Sequence, residues 1–246
     1  MFLEFGEISM PRAAARFVLH WPPMTRLLHY FLGFALVFPA IILHEIAHGY
    51  AAWLCGDPTA KWRGRLSLNP LRHIDPVGTI VLPAVLILTG ISPIGWAKPV
   101  PIDLSRTRRP RQAIWIVGIA GPAMNLVLAL LAGLGLRAMF LTGWVTTPAP
   151  GYVLFPGEVA RLTFTVLQVF CFSNLMLMLF NLVPIPPLDG SRVVTALLPP
   201  RLAWEYLRLE RYGFLIVLLL LNLVPAFGNA LEVLARGAFR LLSGIS

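Results

Sequence analysis

The sequence predicts an all-α polytopic membrane protein, a bundle of about four to six transmembrane helices with a re-entrant or partly β segment near residues 76–101. Three observations carry this expectation. Of 246 residues, 57% are apolar and 13% charged, and the mean hydropathy is +0.76, too oily for an ordinary soluble domain. Uncharged runs recur at about the 20 residues that a helix needs to cross a bilayer. Lys and Arg collect in the loops between those runs, as the positive-inside rule expects.

Residues 1–29 carry Glu4, Glu7, Arg12, Arg16 and Arg26 and have no long apolar core, so no cleavable signal peptide is expected. The stretch RFVLHWPPMTRLLHY suits the headgroup region, with His20 and His29 as interfacial residues. The first span runs from Tyr30 to Leu43 and continues past His48 to Leu54. Further spans are expected at Ala113–Leu136, Leu162–Leu188 and Tyr212–Leu231. Residues 30–200 then form the core, and 201–246 a C-terminal transmembrane helix with an amphipathic tail. Cys55 and Cys171 lie at the end of one span and inside another, and read as small packing residues rather than a disulfide.

The loops set the orientation. Residues 56–75 hold Lys61, Arg63, Arg65 and Arg72; residues 98–112 hold Lys98, Arg106, Arg108, Arg109 and Arg111; residues 189–211 hold Arg192, Arg201, Arg208 and Arg211. The loop at 138–160 has neither Lys nor Arg. The first three therefore face the cytoplasm and the fourth faces outside. This distribution accounts for the net charge of +9. No basic helix interleaved with aromatics points to nucleic acid.

One segment does not fit simple alternation. PVGTIVLPAVLILTGISPIGWA, residues 76–97, is long enough to span, yet both flanks are basic. Gly78, Pro83, Gly90, Pro93 and Gly95 make it a poor continuous helix. A hairpin that enters and turns back satisfies both facts. Irregular backbone at membrane depth is tolerated only inside protein or beside a wet cavity.

The stretch FPAIILHEIAHGYAAWLCG places three ionisable residues within five positions of an apolar run. Such groups within spans face the interior and mark function. His44 and His48 are one helical turn apart on one face, the HExxH spacing in which two imidazoles bind Zn2+ and Glu45 serves as general base. A catalytic zinc needs a third protein ligand, and His73, Asp75 and Asp189 are the candidates. Asp75 followed by Pro76 reads as a helix N-cap with proline at the first position. Asp189, in NLVPIPPLDGSRVVTALL, follows a proline-broken helix and is presented from an irregular buried turn, so it is the expected ligand. Topology supports the choice. If 76–97 turns back, the later spans deliver Asp189 to the same side as His48; if it crosses, Asp189 ends on the far side.

With these residues in place, the chain resembles the site-2 protease family of intramembrane zinc metalloproteases, in its short form without a PDZ or CBS domain. The motifs occur in the family's order: HEIAHG at 44–49, NPLRHIDPVG at 69–78, GWAKPVP at 95–101, GPAMN at 121–125 and NLVPIPPLDG at 181–190. The resemblance implies His44, His48 and Asp189 as zinc ligands and Glu45 as catalytic base. It also implies that Asn181 engages the substrate backbone. The substrates implied are transmembrane proteins, cut within or beside a membrane-spanning segment. The setting implied is a prokaryotic cytoplasmic (inner) membrane, with the active site towards the cytoplasm.

A helical substrate must unwind before its carbonyls can be attacked. The segment at 76–101, with Ile80, Val81, Trp96 and Lys98, is the expected surface to hold the unwound strand by edge pairing. Gly118, Gly121 and Asn125 read more plainly as helix-packing residues. A non-proteolytic membrane-embedded binding or chaperone protein of the same fold is the alternative, and the intact Glu45 weighs against it. A metal-ion transporter would be expected to show internal repeats and further acids along a path, which are missing here.

Overall fold

A computed structural model describes residues 23–88, 95–146 and 153–245. The readings made on residues 1–22, including His20, and on residues 89–94 lie outside the described residues, as does the side chain of His29.

Nine α-helices lie among the described residues: α1 (Pro23–Leu54), α2 (Thr59–Trp62), α3 (Leu82–Leu88), α4 (Pro110–Leu141), α5 (Glu158–Asn181), α6 (Gly190–Leu197), α7 (Pro200–Leu207), α8 (Glu210–Leu223) and α9 (Pro225–Ser243). Three are long and apolar enough to cross a membrane, at Ala35–Leu54, Pro110–Leu141 and Glu158–Asn181. A fourth span results if Leu215–Leu221 and Pro225–Ser243, bent by 81° to each other, are counted as one. That is the lower end of the expected number.

The three spans pack as a bundle centred on α4. Towards its C-terminal end, Ala129 and Ala132 of α4 meet Cys171 and Leu175 of α5 and Ala235 of α9. Leu136 and Met139 then meet Ala160 and Phe164, one turn further out. At the other end, Ala51 and Ala52 of α1 pack on Val117. Small residues at these contacts let backbones approach, which drives association where lipid offers no hydrophobic gradient. The α9 helix is part of this core and not a free tail: Arg137 donates to the Leu241 carbonyl at 2.8 Å. Cys55 and Cys171 are free thiols, and Cys171 is buried, its Sγ 3.3 Å from the Ala129 carbonyl.

The segment from 76 doubles back. It starts as a π-helical turn, Pro76–Val81, capped by Asp75, whose carboxylate accepts from the amides of Val77 and Gly78. The sequence-based N-cap reading of Asp75 and Pro76 describes this turn. Helix α3 follows, and the described chain resumes at residue 95 beside its own entry. Trp96 N–H donates to the Gly78 carbonyl at 3.2 Å, Thr79 Oγ1 to the Trp96 carbonyl at 2.8 Å, and Lys98 N–H to the His73 carbonyl at 2.8 Å. Entry and exit thus lie at one place. Of the two expected forms, re-entrant or partly β, the described residues of 76–101 contain no strand. Residues 95–101 have no regular secondary structure, and the N–H groups of residues 96, 98 and 100 are all used inward while Pro99 and Pro101 have none.

Candidate metal centre

Helix α1 brings the first residues together by its period alone. His44 and His48 stack on one face with ring centroids 4.6 Å apart, edge to face. Both are buried, and Glu45, one position round the helix, is half-buried. Ligand atoms of these three residues all lie within 4.8 Å of one another.

Asp189 reaches the same point from the far end of the chain. Past Asn181 the backbone leaves the helix through a proline-rich turn closed by Ile185 N–H to Val183 O and Leu188 N–H to Ile185 O. Tyr206 Oη donates to the Pro184 carbonyl at 2.8 Å, tying the turn to α7. Asp189 stands at the N-cap position of α6 without capping it. Its carboxylate is turned inward instead: Oδ2 lies 3.0 Å from His44 Nε2 and 3.1 Å from His48 Nε2. The two Nε2 atoms are themselves 3.0 Å apart. Arg192 Nε stands 3.9 Å from the other oxygen, Oδ1.

This triangle of donor atoms suits a zinc ion. Zinc–N and zinc–O bonds of about 2.0–2.2 Å put tetrahedral ligand atoms about 3.3 Å apart. The outer nitrogen of each ring is already committed, His44 Nδ1 to Asn125 Oδ1 at 2.5 Å and His48 Nδ1 to the Val117 carbonyl at 2.6 Å. Both partners accept, so both Nδ1 atoms carry the proton and both Nε2 lone pairs face each other. Two lone pairs and a carboxylate oxygen converging in a buried site call for a cation. Gly121 makes the approach of α4 possible, since a Cβ there would stand 2.4 Å from His48 Nε2 and 2.5 Å from His44 Nε2. At Gly118 a Cβ would meet Arg192 and the Asp189 carbonyl. Expected only to ease helix contact, Gly121 leaves room for the two imidazoles and Gly118 for the turn that carries Asp189.

Glu45 is oriented from outside α1. Its Oε2 accepts the Val100 amide at 2.9 Å. The stretch leading to Val100 is fixed by the buried Arg65, whose guanidinium donates to the carbonyls of Arg72, Lys98 and Pro99. His73, weighed as a ligand from sequence, is instead fully buried beneath this loop with Nε2 on the Ser67 carbonyl at 2.8 Å. Burial lowers its pKa against the pull of the Ser67 carbonyl, and the Arg65 charge lowers it further.

The remaining expected residues lie around this centre without joining it. Asn181 ends α5 with its Nδ2 on the Leu177 carbonyl of its own helix, at 2.9 Å. Ile80 and Val81 are exposed on the π-helical turn, Trp96 packs its indole over Gly78, and Lys98 is exposed on the returning chain. Sequence reading missed Arg65, Val100, Arg192 and Asn174. Asn174 alone left a signal, as an amide side chain inside an apolar span; a backbone carbonyl or amide leaves none.

The sequence model of Peptidase family M50 matches residues 32–224. The Bacillus subtilis protein named "Putative zinc metalloprotease YwhC" is 40% identical over 202 residues, 80% of this chain and 85% of that protein. A protein of Mycolicibacterium smegmatis named as the zinc metalloprotease Rip2, with the same qualifier, is 36% identical over 191 residues, 77% of this chain and 66% of its own length. Its namesake in Mycobacterium tuberculosis strain H37Rv is 32% identical over the same shares. No solved structure matches. By a match that covers most of its length, with the motif residues gathered as described, the chain belongs to Peptidase family M50, the site-2 proteases.

Proposed function

We propose that His44, His48 and Asp189 hold the zinc ion of this peptidase and that Glu45 is its general base, cutting transmembrane protein substrates within or beside their membrane-spanning segments. Family membership makes the chain an intramembrane zinc metalloprotease. The observation that carries the residue assignment is the meeting of three donor atoms at 3.0–3.1 Å from positions as far apart as 44 and 189.

Zinc, when bound, lowers the pKa of a coordinated water towards ~7 and polarises the scissile carbonyl. The chain's own residues supply the rest. With Oε2 held by the Val100 amide, Glu45 presents Oε1 to take the proton of the attacking water. It later returns that proton to the leaving amine, base work followed by acid work. Asn181, which keeps its Oδ1 and a second amide hydrogen beyond the bond to Leu177, engages the substrate backbone. Ile80, Val81, Trp96 and Lys98 meet the substrate through their exposed side chains. The basic residues of 56–75 and 98–112 flank this end of the bundle, which supports a cytoplasmic-side active site in an inner membrane.

The test compares two variants of the purified full chain. Glu45→Gln is expected to keep zinc and lose cleavage of a transmembrane substrate. Asp189→Asn is expected to lose both. Stoichiometric zinc at unchanged affinity in Asp189→Asn overturns the ligand assignment; cleavage at the normal rate in Glu45→Gln overturns the base.

A further inference from the structure

Two buried amides have no part in the reaction as described. Asn125 of α4 and Asn174 of α5 are both 0% exposed, and polar groups at that depth must be paired. They form one chain across three helices. Asn174 Nδ2 donates to the Phe170 carbonyl at 2.8 Å, Asn125 Nδ2 donates to Asn174 Oδ1 at 2.9 Å, and Asn125 Oδ1 accepts from His44 Nδ1 at 2.5 Å.

Chemistry dictates the direction of this chain. The Phe170 carbonyl can only accept, so Asn174 must face it with its NH2 and present its oxygen to Asn125. Asn125 must then meet that oxygen with its own NH2, which turns its oxygen to His44. His44 must then carry a proton on Nδ1, and in the neutral ring that binds a metal this leaves the Nε2 lone pair towards Asp189 and His48. His48 reaches the same state by a shorter route, through the Val117 carbonyl.

We propose that Asn125 and Asn174 are positioning residues that transmit the polarity of a main-chain carbonyl to the ring of His44, presetting the tautomer that binds metal. This rests on the reading of His44 as a zinc ligand. Partners of metal-bound imidazoles set ring orientation and basicity, and their loss typically costs about 10–100-fold in metal affinity. Asn174 is two hydrogen bonds removed from the His44 ring and still part of the setting. If the two amides merely tie helices together, a carboxylate at 125 should be as damaging as an aliphatic side chain, since it buries a charge. In the relay it is tolerated as the neutral acid, whose carbonyl oxygen still accepts from His44 Nδ1 while its O–H donates to Asn174 Oδ1 in place of the amide.

The experiment measures zinc affinity of the full chain in detergent by chelator competition, with 15N-histidine NMR of the zinc-stripped protein. Asn125→Leu is expected to weaken zinc about 10–100-fold, and Asn174→Leu by a smaller factor of about 3–10. Asn125→Asp is expected to restore affinity to within about threefold of the parent chain. The stripped parent chain is expected to show His44 protonated at Nδ1, and Asn125→Leu a mixture. Equal loss for Asn125→Asp and Asn125→Leu overturns the relay, as does an Nε2–H tautomer in the stripped parent chain, which needs no variant to fold. A His44→Ala arm separates the two readings. Unchanged affinity there removes His44 as a ligand, whereas the relay fails alone if His44→Ala loses zinc but Asn125→Leu does not.

Discussion

At the metal centre, side chains do the holding. Two imidazoles, a carboxylate and two amides are fitted between α1, α4 and α5, with Gly121 removed from their path. In the neighbouring hairpin between His73 and Val100, the main chain does most of it. Asp75 caps a π-helical turn, Thr79 and Gly78 bind Trp96, His73 binds Lys98, and Arg65 gathers three carbonyls. Among the described residues the two regions are joined by the bond from Val100 N–H to Glu45 Oε2. Close-packed side chains tolerate almost no change of shape. Main-chain hydrogen bonds hold a path while leaving the side chains of Ile80, Val81 and Trp96 exposed. On the function proposed above, the first region must be rigid and the second open to a substrate.

Four substitutions would break or sharpen this contrast. Gly121→Ala should have the largest effect, because its methyl would fall within 2.5 Å of both Nε2 atoms. Zinc content is expected to drop to background and cleavage with it, by about 100-fold or more. Arg65→Met comes next. It removes charge-assisted bonds worth about 1.5–3 kcal/mol each from the chain that orients Glu45, so kcat should fall about tenfold or more with zinc content unchanged. Zinc lost as completely as in Gly121→Ala would show that hairpin and metal centre are one rigid unit.

Thr79→Val removes the hydroxyl that donates to the Trp96 carbonyl and accepts the Asp75 amide. At about 1 kcal/mol per bond, hydrogen exchange at residues 95–98 should quicken several-fold while zinc affinity holds. Asp75→Ala is the mildest. Loss of an N-cap costs about 1 kcal/mol, and exchange at Val77 and Gly78 should rise with cleavage changed about twofold or less. A full loss of cleavage in Asp75→Ala would make the hairpin part of the chemistry.

Much of this molecule was legible in its residues because the physical constraints were local. Lipid demands about 20 apolar residues per helix, so the runs around His44, Ala113 and Leu162 mark spans. Helical period puts His44 and His48 on one face. An aspartate before a proline caps a turn, and Asp75 does so. The topological demand that 76–97 turn back follows from basic flanks, and the described ends of that segment lie side by side. Other features had no local mark. Asn125 read as a packing residue because nothing in GPAMN says that its oxygen meets His44. Edge pairing along 76–101 was expected because an unwound substrate strand needs partners; that Ile80 and Val81 would lie in a capped π-helical turn had no mark in the sequence.

By itself the sequence determined a membrane bundle, a two-histidine helix face with an acid beside it, and a distant aspartate delivered to the same side. Each follows from period, hydropathy or charge, which act within a few residues. Only the tertiary structure decided the tautomers of the two histidines, the orientation of Glu45 through Val100 and Arg65, and the need for glycine at 121. Those depend on which carbonyl, amide or bare Cα another helix brings within 3 Å, and a main-chain group carries no letter in the sequence.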